Sequence, residues 1–253
     1  MERLTNTKKS GITGSGLRTW GMIFCILGII GRGILQNRFL GTGSLSAQQL
    51  LEVMQSSENA MIAATLSLVL QAMETCAVPI FALLMLEGFQ HTMDLRQYFL
   101  RVAGLAVLTE LPYNLAISGK LFAADSRNPV FGLVLCLLML YFYRRYAEKT
   151  FRNTLIKVIV TVAGILWTVM LKIDFGTGLV LIMAIMWACR RKPIYRNMAG
   201  AVMAIVCTLG NPFYLAAPMG FLAVHSYNGD QGADNRVVNY LAYPVLLLAV
   251  GLI

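Results

Sequence analysis

The sequence predicts an all-α protein, a polytopic transmembrane helical bundle of eight or nine spans with a cytoplasmic N-terminus. Hydrophobic residues make up 57% of the 253 positions and charged residues only 13%, whereas a soluble domain carries about 25% charged residues. The mean hydropathy is +0.66, and no hydrophilic stretch is long enough to build a soluble domain. The net charge of +9 needs no nucleic acid partner, because the basic residues lie mainly at the ends of apolar segments.

Nine apolar segments are candidates for membrane spans, each of which needs about 20 mostly apolar residues in helical form. Several segments are short, and the Gly210-Asn211-Pro212 sequence predicts a tight turn between two short helices. Joining those two helices gives the alternative of eight spans. The segments are 17–35, 60–86, 100–118, 130–143, 156–171, 175–188, 198–209, 213–226 and 237–253.

The distribution of Lys and Arg predicts the orientation of these spans. Fifteen of them fall on the side of the N-terminus, and four fall on the other side: Arg38, Lys120, Arg127 and Lys172. Because cytoplasmic loops carry the excess of Lys and Arg, the N-terminus is predicted to be cytoplasmic. The protein is therefore predicted to be a multi-pass component of the cytoplasmic membrane of a bacterium, with the lipid bilayer as its partner.

The chain is predicted to divide into a polar, basic tail at residues 1–16 and a single transmembrane domain at residues 17–253. The first apolar run is followed by no small-residue cleavage motif, which favours an uncleaved span over a signal peptide. Cysteines without short paired spacing predict buried thiols rather than a metal site or a disulfide framework. They are Cys25, Cys76, Cys136, Cys189 and Cys207.

A carboxylate and an imidazole lie four residues apart near the end of the second apolar segment. Glu87 and His91 would share one face of a helix and could meet there. A carboxylate beside an imidazole fixes its tautomer and raises its basicity, as a general base requires. The alternative is that both side chains are simply hydrated where the helix leaves the bilayer.

A second polar pair, Glu110 and Asn114, is also spaced by four residues in the third segment and has Pro112 between its members. Proline removes a backbone donor and frees a carbonyl group, which neighbouring helices or water must satisfy. Such a helix is expected to line a polar cavity, since ionisable groups at membrane depth usually serve a function. A structural hydrogen bond between helices is the alternative. We expect Glu87, His91, Glu110 and Asn114 to meet in one pocket.

Three further charged residues lie near the other ends of the apolar segments. Glu74 is predicted either to line the same cavity or to pair with Arg32 of the first span. For Arg32 itself, the position near the outer end of its span favours a side chain that extends to the membrane surface. Asp174 belongs to a short outer turn of the sequence Lys-Ile-Asp-Phe-Gly-Thr-Gly.

An ordered set of short motifs resembles the TraX family of membrane proteins. The match is densest between residues 79 and 114 and continues more loosely to the C-terminus. No single motif is diagnostic, but their order is fairly specific. The motifs are Pro79-Ile80-Phe81-Ala82, Glu87-Gly88-Phe89, His91-Thr92, Glu110-x-Pro112-x-Asn114, Asn128-Pro129-Val130-Phe131, Asp174-Phe175-Gly176, Tyr227-Asn228-Gly229 and Tyr243-Pro244.

The resemblance implies a membrane acyltransferase of the kind associated with acetylation of conjugative pilin. Acetyl-CoA would be the donor, and a peptide amine or a glycan hydroxyl the acceptor. Under this reading Glu87 and His91 form the base pair, while Glu110 and Asn114 orient the substrate or donate hydrogen bonds. The resemblance also implies five substrate-binding residues: Asn128, Asp174, Asn228, Arg144 and Arg145. The two arginines among them would attract the phosphates of CoA.

The chain departs from the family pattern at two positions. Members carry Asp-His in the first span and His after the Tyr-Pro of the last span, whereas this chain has Gly28-Ile29 and Tyr243-Pro244-Val245-Leu246. Only His91 and His225 are present in the whole sequence. Because these histidines are absent, a member of the family that lacks the enzymatic activity is an open alternative. The alternative function is therefore a non-enzymatic membrane protein, either a transporter or an immunity or assembly factor, that uses the same cavity for binding.

Overall fold

A bundle of helices is seen throughout the part of the chain that the computed structural model describes, residues 11–41, 47–123, 126–232 and 236–252. Helix α1 continues without a gap into a π-helix, and a short 3₁₀-helix leads into α10. The helices are α1 Gly14–Ile29, the π-helix Ile30–Phe39, α2 Ala47–Ser56, α3 Glu58–Glu74, α4 Ala77–His91, α5 Leu95–Ser118, α6 Val130–Arg145, α7 Phe151–Met170, α8 Gly176–Ala188, α9 Pro193–Cys207, the 3₁₀-helix Pro212–Ala216, α10 Ala217–His225 and α11 Arg236–Leu252.

All nine predicted segments coincide with these helices, so the all-α prediction is confirmed. Three features were not predicted: helix α2, the interruption between α3 and α4, and the continuation of the first helix beyond residue 35 to Phe39. The predicted tail ends three residues inside α1, because the side chain of Thr13 accepts a hydrogen bond from Gly16 N and caps the helix before Gly14. Residues 1–10 of the tail lie outside the described residues.

Within the described residues, four helical segments are long and apolar enough to cross a membrane: Gly14–Phe39, Glu58–His91, Leu95–Ser118 and Phe151–Met170. Two shorter apolar helices, Gly176–Ala188 and Tyr240–Leu252, accompany them. In α7, few residues are buried inside the bundle, and large side chains such as Leu166 and Val162 are about half exposed. Apolar surface of this extent is expected to face lipid.

The two ends of the bundle are tied by different loops. At the end that we call the N-terminal end, Ile12 N donates to Ser226 O at 2.8 Å and Gly14 N donates to Asp230 O at 2.7 Å. At the opposite end, the loop before α6 meets the turn between α7 and α8. There, Arg127 N donates to Lys172 O at 2.9 Å, and Asp174 N donates to Arg127 O at 3.0 Å. The backbone of Asp174 is thus hydrogen-bonded to the loop that precedes α6.

An interruption at Thr75 and Cys76 separates α3 from α4, although the two helices form one long apolar segment. The Thr75 hydroxyl donates to Ala72 O at 2.7 Å and to Phe213 O at 3.0 Å. Helix α10 packs against the same point, since a Cβ atom on Gly220 would lie 2.2 Å from Cys76 O. Glu74, the last residue of α3, is therefore fixed inside the bundle rather than at its surface.

The close approach at Gly220 predicts that a methyl group there is costly. We expect Gly220→Ala to lower the free energy of unfolding by about 1–3 kcal/mol, because backbone atoms of α4 must move away. Gly104→Ala is the matched control, since no atom lies within 4 Å of its added Cβ atom. In a helix interior that change favours folding by roughly 1 kcal/mol. Thermal unfolding in detergent tests both variants, and equal unfolding temperatures would contradict the packing described.

Candidate functional site

A buried cluster of charged and hydroxyl groups connects four parts of the bundle. The Arg32 guanidinium contacts Glu74 through Nη2 at 3.0 Å and Asp174 through Nη1. The Tyr113 hydroxyl donates to the same Asp174 oxygen. Glu74 is 3% exposed and Tyr113 is fully buried, while the side chains of Arg32 and Asp174 are 15% and 20% exposed. We call these four residues the Arg32 cluster.

Local backbone features bring Arg32 and Glu74 together. Arg32 lies in the first turn of the π-helix, a rare conformation that is frequent at functional sites. On the facing helix, Glu74 ends α3. A Cβ atom on Gly28 would lie 2.2 Å from the Glu74 carboxylate, so only glycine allows α3 to approach α1 this closely.

The turn that carries Asp174 holds two residues in the left-handed region. Lys172 has φ of 52° and Phe175 has φ of 56°, which is costly for residues other than glycine, by roughly 1–3 kcal/mol each. Surrounding hydrogen bonds stabilise the turn, including the one from Ile173 N to Thr168 O at 2.9 Å. Strain of this kind is concentrated at functional sites. The Phe175 ring also lies 5.6 Å from the Arg32 guanidinium.

An open cavity of about 600 Å³ adjoins the cluster at the opposite end of the bundle. Its volume is typical of small-molecule sites. Asp174 and Phe175 line it together with polar groups of Thr177, Asn211 and Tyr214. The Tyr214 hydroxyl is fixed by donating to Phe175 O at 2.8 Å. A ligand in this cavity would therefore meet a carboxylate and aromatic rings.

The cluster has unsatisfied hydrogen-bonding capacity. One guanidinium faces two carboxylates. Nε of Arg32 is buried and has no hydrogen-bond partner among the described residues. Buried polar groups are normally paired, and each exception requires an explanation. An unpaired donor group and two carboxyl groups at one guanidinium, one of them on a residue that lines the open cavity, together indicate a site that binds a polar or cationic ligand. Within the described ranges, no three His, Cys, Asp or Glu side chains are grouped so as to hold a metal ion.

Glu87 and His91 lie at the N-terminal end, away from this cavity. His91 is exposed, and its Nδ1 donates to the backbone oxygen of Glu87 at 2.9 Å rather than to the carboxylate. The Glu87 carboxylate instead lies 3.7 Å from Arg196 Nη1 and accepts from the Tyr227 hydroxyl at 3.4 Å. Burial and this carboxylate raise the pKa of Tyr227 to about 12.

Glu110 and Asn114 lie near the opposite end. Glu110 accepts from Asn128 N at 3.2 Å and pairs with Arg127 at 3.4 Å. Helices α4 and α5 are consecutive, and Glu110 is 15 residues into α5, about 22 Å from the start of that helix. The prediction that Glu87, His91, Glu110 and Asn114 line one pocket is therefore wrong. Asn114 is buried, and its neighbour in the sequence, Tyr113, belongs to the Arg32 cluster.

The five residues predicted to bind substrate are also spread over the molecule, and only Asp174 belongs to the Arg32 cluster. Asn128 is fully buried, and its side-chain oxygen accepts from Val130 N at 3.0 Å at the start of α6. Asn228 accepts from Asp230 N at 2.9 Å in the loop at the N-terminal end. Arg144 and Arg145 are both exposed at that same end.

The prediction that Arg32 extends to the membrane surface is wrong, because two carboxylates hold its guanidinium inside the bundle. The alternative for Glu74, pairing with Arg32, is confirmed. Sequence reasoning missed Tyr113, although it lies inside the Glu110-x-Pro112-x-Asn114 motif.

The comparisons with known proteins give a family match. A family model described as TraX protein matches residues 45–253. No curated protein and no solved structure matches the chain.

The ion pairs of the cluster predict a dependence of stability on charge balance. Arg32→Met leaves two buried carboxylates uncompensated and should lower the free energy of unfolding by about 3–5 kcal/mol. Adding Glu74→Gln and Asp174→Asn removes both charges, so the triple variant should recover part of that loss. Unfolding in detergent, followed by circular dichroism, measures the difference. A triple variant that is less stable than the single variant would contradict the pairing.

Proposed function

The chain belongs to the TraX family, as its motifs predicted, and we propose that it is a membrane acyltransferase. The proposed reaction moves an acetyl or longer acyl group from acyl-CoA to a peptide amine or a glycan hydroxyl. The observation that carries this proposal is the open cavity lined by Asp174, whose carboxylate pairs with the Arg32 guanidinium. These groups supply a base and a hydrogen-bond donor, which acyl transfer requires.

The charges of the cluster favour an amine as acceptor. The Asp174 carboxylate shares one guanidinium with Glu74, and it would attract a cationic amine entering the cavity. The rings of Phe175 and Tyr214, which line the cavity, would also attract a cation. A peptide N-terminus or a lysine side chain has this chemistry.

The proposed transfer assigns a role to each member of the Arg32 cluster. The cationic amine first loses one proton to solvent in the open cavity. The neutral nitrogen then attacks the thioester carbonyl carbon, and Asp174 takes the second proton, which the nitrogen releases after the attack. Arg32 donates to the oxyanion of the tetrahedral intermediate. When the C–S bond breaks, the CoA sulfur leaves and takes up the proton from Asp174. Glu74 and Tyr113 are positioning residues that hold the guanidinium and the carboxylate in place.

The proposed location is the cytoplasmic membrane, with the N-terminal end in the cytoplasm. Helices α1, α4 and α10 have termini at that end, whereas α5, α6 and α8 have termini at the opposite end. We therefore infer nine membrane crossings. In this count, α3 and α4 together form one crossing, and α10 forms one together with its 3₁₀-helix. The excess of Lys and Arg at the N-terminal end supports this orientation. The thioester end of acyl-CoA would then have to pass the packed side chains of Ile182, Met183 and Met186, all fully buried, which requires helices to separate.

Binding or transport without chemistry is the second candidate function. Interrupted helices at Thr75 and at Asn211 flank the cavity region, and interrupted helices form binding sites in many transporters. Among the described residues, no histidine contacts the Arg32 cluster, and the family histidines are replaced in this chain. In this case the same cavity would hold a cationic solute or a peptide segment.

An acyl-transfer assay separates these candidates. Purified protein in detergent is incubated with radiolabelled acetyl-CoA and a peptide with a free amino terminus. We expect Asp174→Asn to reduce the transfer rate at least 100-fold, within the range contributed by a general base. Asp230→Asn, the same change at an exposed loop position, should transfer normally.

Two results would overturn the assignment. No transfer by the unsubstituted protein, combined with counterflow of a cationic solute in liposomes, would favour the second candidate. Transfer that survives Asp174→Asn but is lost in His91→Ala would instead place the chemistry at the N-terminal end, as the sequence motifs predicted.

A further inference from the structure

Two arginines and two aromatic rings form a small pocket at the N-terminal end, away from the Arg32 cluster. The pocket has a volume of about 170 Å³. It is lined by Phe89, Gln90, Arg144, Ala147, Trp187 and Arg190. These residues come from the ends of α4, α6 and α8 and from the loops that follow α6 and α8.

Both guanidinium groups lie against buried aromatic rings. Phe89 and Trp187 are buried and pack edge to face, with ring centroids 5.8 Å apart. The Arg190 guanidinium lies 3.9 Å from the Trp187 ring centroid, and the Arg144 guanidinium lies 5.9 Å from that of Phe89. Arg190 is further fixed because its Nη1 donates to Trp187 O at 2.9 Å. Stacked arginines keep the edges of their planar groups available for hydrogen bonds.

The positive charge of the pocket is not neutralised by carboxylates. Among the described residues, neither Arg144 nor Arg190 forms a salt bridge, and no acidic residue lines the pocket. Burial and, to a smaller extent, the neighbouring Arg191 lower the pKa of Arg190.

We propose that this pocket binds a phosphate group, supplied either by a soluble phosphate ester or by the headgroup of an anionic phospholipid. Two guanidinium groups around one small cavity match the several acceptor oxygens of a phosphate. The volume is below that of sites for whole drug-sized ligands, so it suits the phosphate rather than the entire molecule. The proposal does not depend on the acyltransferase assignment, because a phosphate site of this kind serves a donor, a transported solute or a bound lipid equally.

Tryptophan fluorescence provides a direct measurement at the pocket. The chain has three tryptophans, and Trp20 and Trp167 are about half exposed on the outside of the bundle. Replacing both by Phe leaves Trp187, stacked under Arg190, as the reporter. We expect saturable changes in its emission with inorganic phosphate titrated against chloride at constant ionic strength. Coenzyme A tests the soluble source, and nanodiscs of phosphatidylglycerol compared with phosphatidylcholine test the lipid source.

Matched substitutions test which arginines bind. Arg144→Gln and Arg190→Gln should each weaken phosphate binding about tenfold, the loss expected for one charge-assisted contact. Arg152→Gln and Arg191→Gln remove the same charge from exposed neighbours outside the pocket and should bind within twofold of the parent. Equal losses in all four variants would show a diffuse charge effect and overturn the proposal. An absence of any saturable response to phosphate, coenzyme A and phosphatidylglycerol would also overturn it.

Chemical modification tests the same site without substitutions, in case a variant fails to fold. Phenylglyoxal modifies arginine side chains, and mass spectrometry locates the products. Phosphate should slow the modification of Arg144 and Arg190 several-fold and leave that of Arg191 unchanged. Equal protection of Arg190 and Arg191 would contradict a defined pocket.

Discussion

The ion pairs of Arg32 with Glu74 and Asp174 are the constraint on which the rest of the structure depends. In an apolar bundle, a guanidinium without partners is costly, so the fold must deliver two carboxylates to one place. These carboxylates come from the end of α3 and from the turn before α8, which are distant in sequence. Three separate parts of the bundle are therefore fixed relative to one another by a single side chain.

Several backbone irregularities make these contacts geometrically feasible. The π-helix lies at Arg32, the α3–α4 interruption follows Glu74, and the positive φ angle of Phe175 adjoins Asp174. Regular helices would carry the same side chains past one another or out to the membrane surface. The energy stored in such irregularities is kept where the surrounding packing fixes them. Their coincidence at one cluster supports a functional interpretation more strongly than any one of them does alone.

The helical segments could be predicted from the sequence because apolar composition and breakers are local properties. The Gly210-Asn211-Pro212 turn, for instance, separates α9 from the 3₁₀-helix as expected. The site was harder to predict, because it depends on which helix ends meet. Glu87 and Glu110 each have the spacing of a functional pair, but local spacing gives no information on their separation in space. Arg32 was misplaced because the π-helix extends the first helix to Phe39, which moves this residue from the end of a span to its interior.

The hydrogen bond from Asp174 N to Arg127 O links the interior charge cluster to a surface loop. Arg127 is itself exposed and paired with Glu110. A molecule that binds this loop and shifts the Arg127 backbone would also displace Asp174, and with it the Arg32 guanidinium that pairs with Asp174. The protein thus has a short mechanical connection by which binding at this exposed loop would alter the polarity of its core.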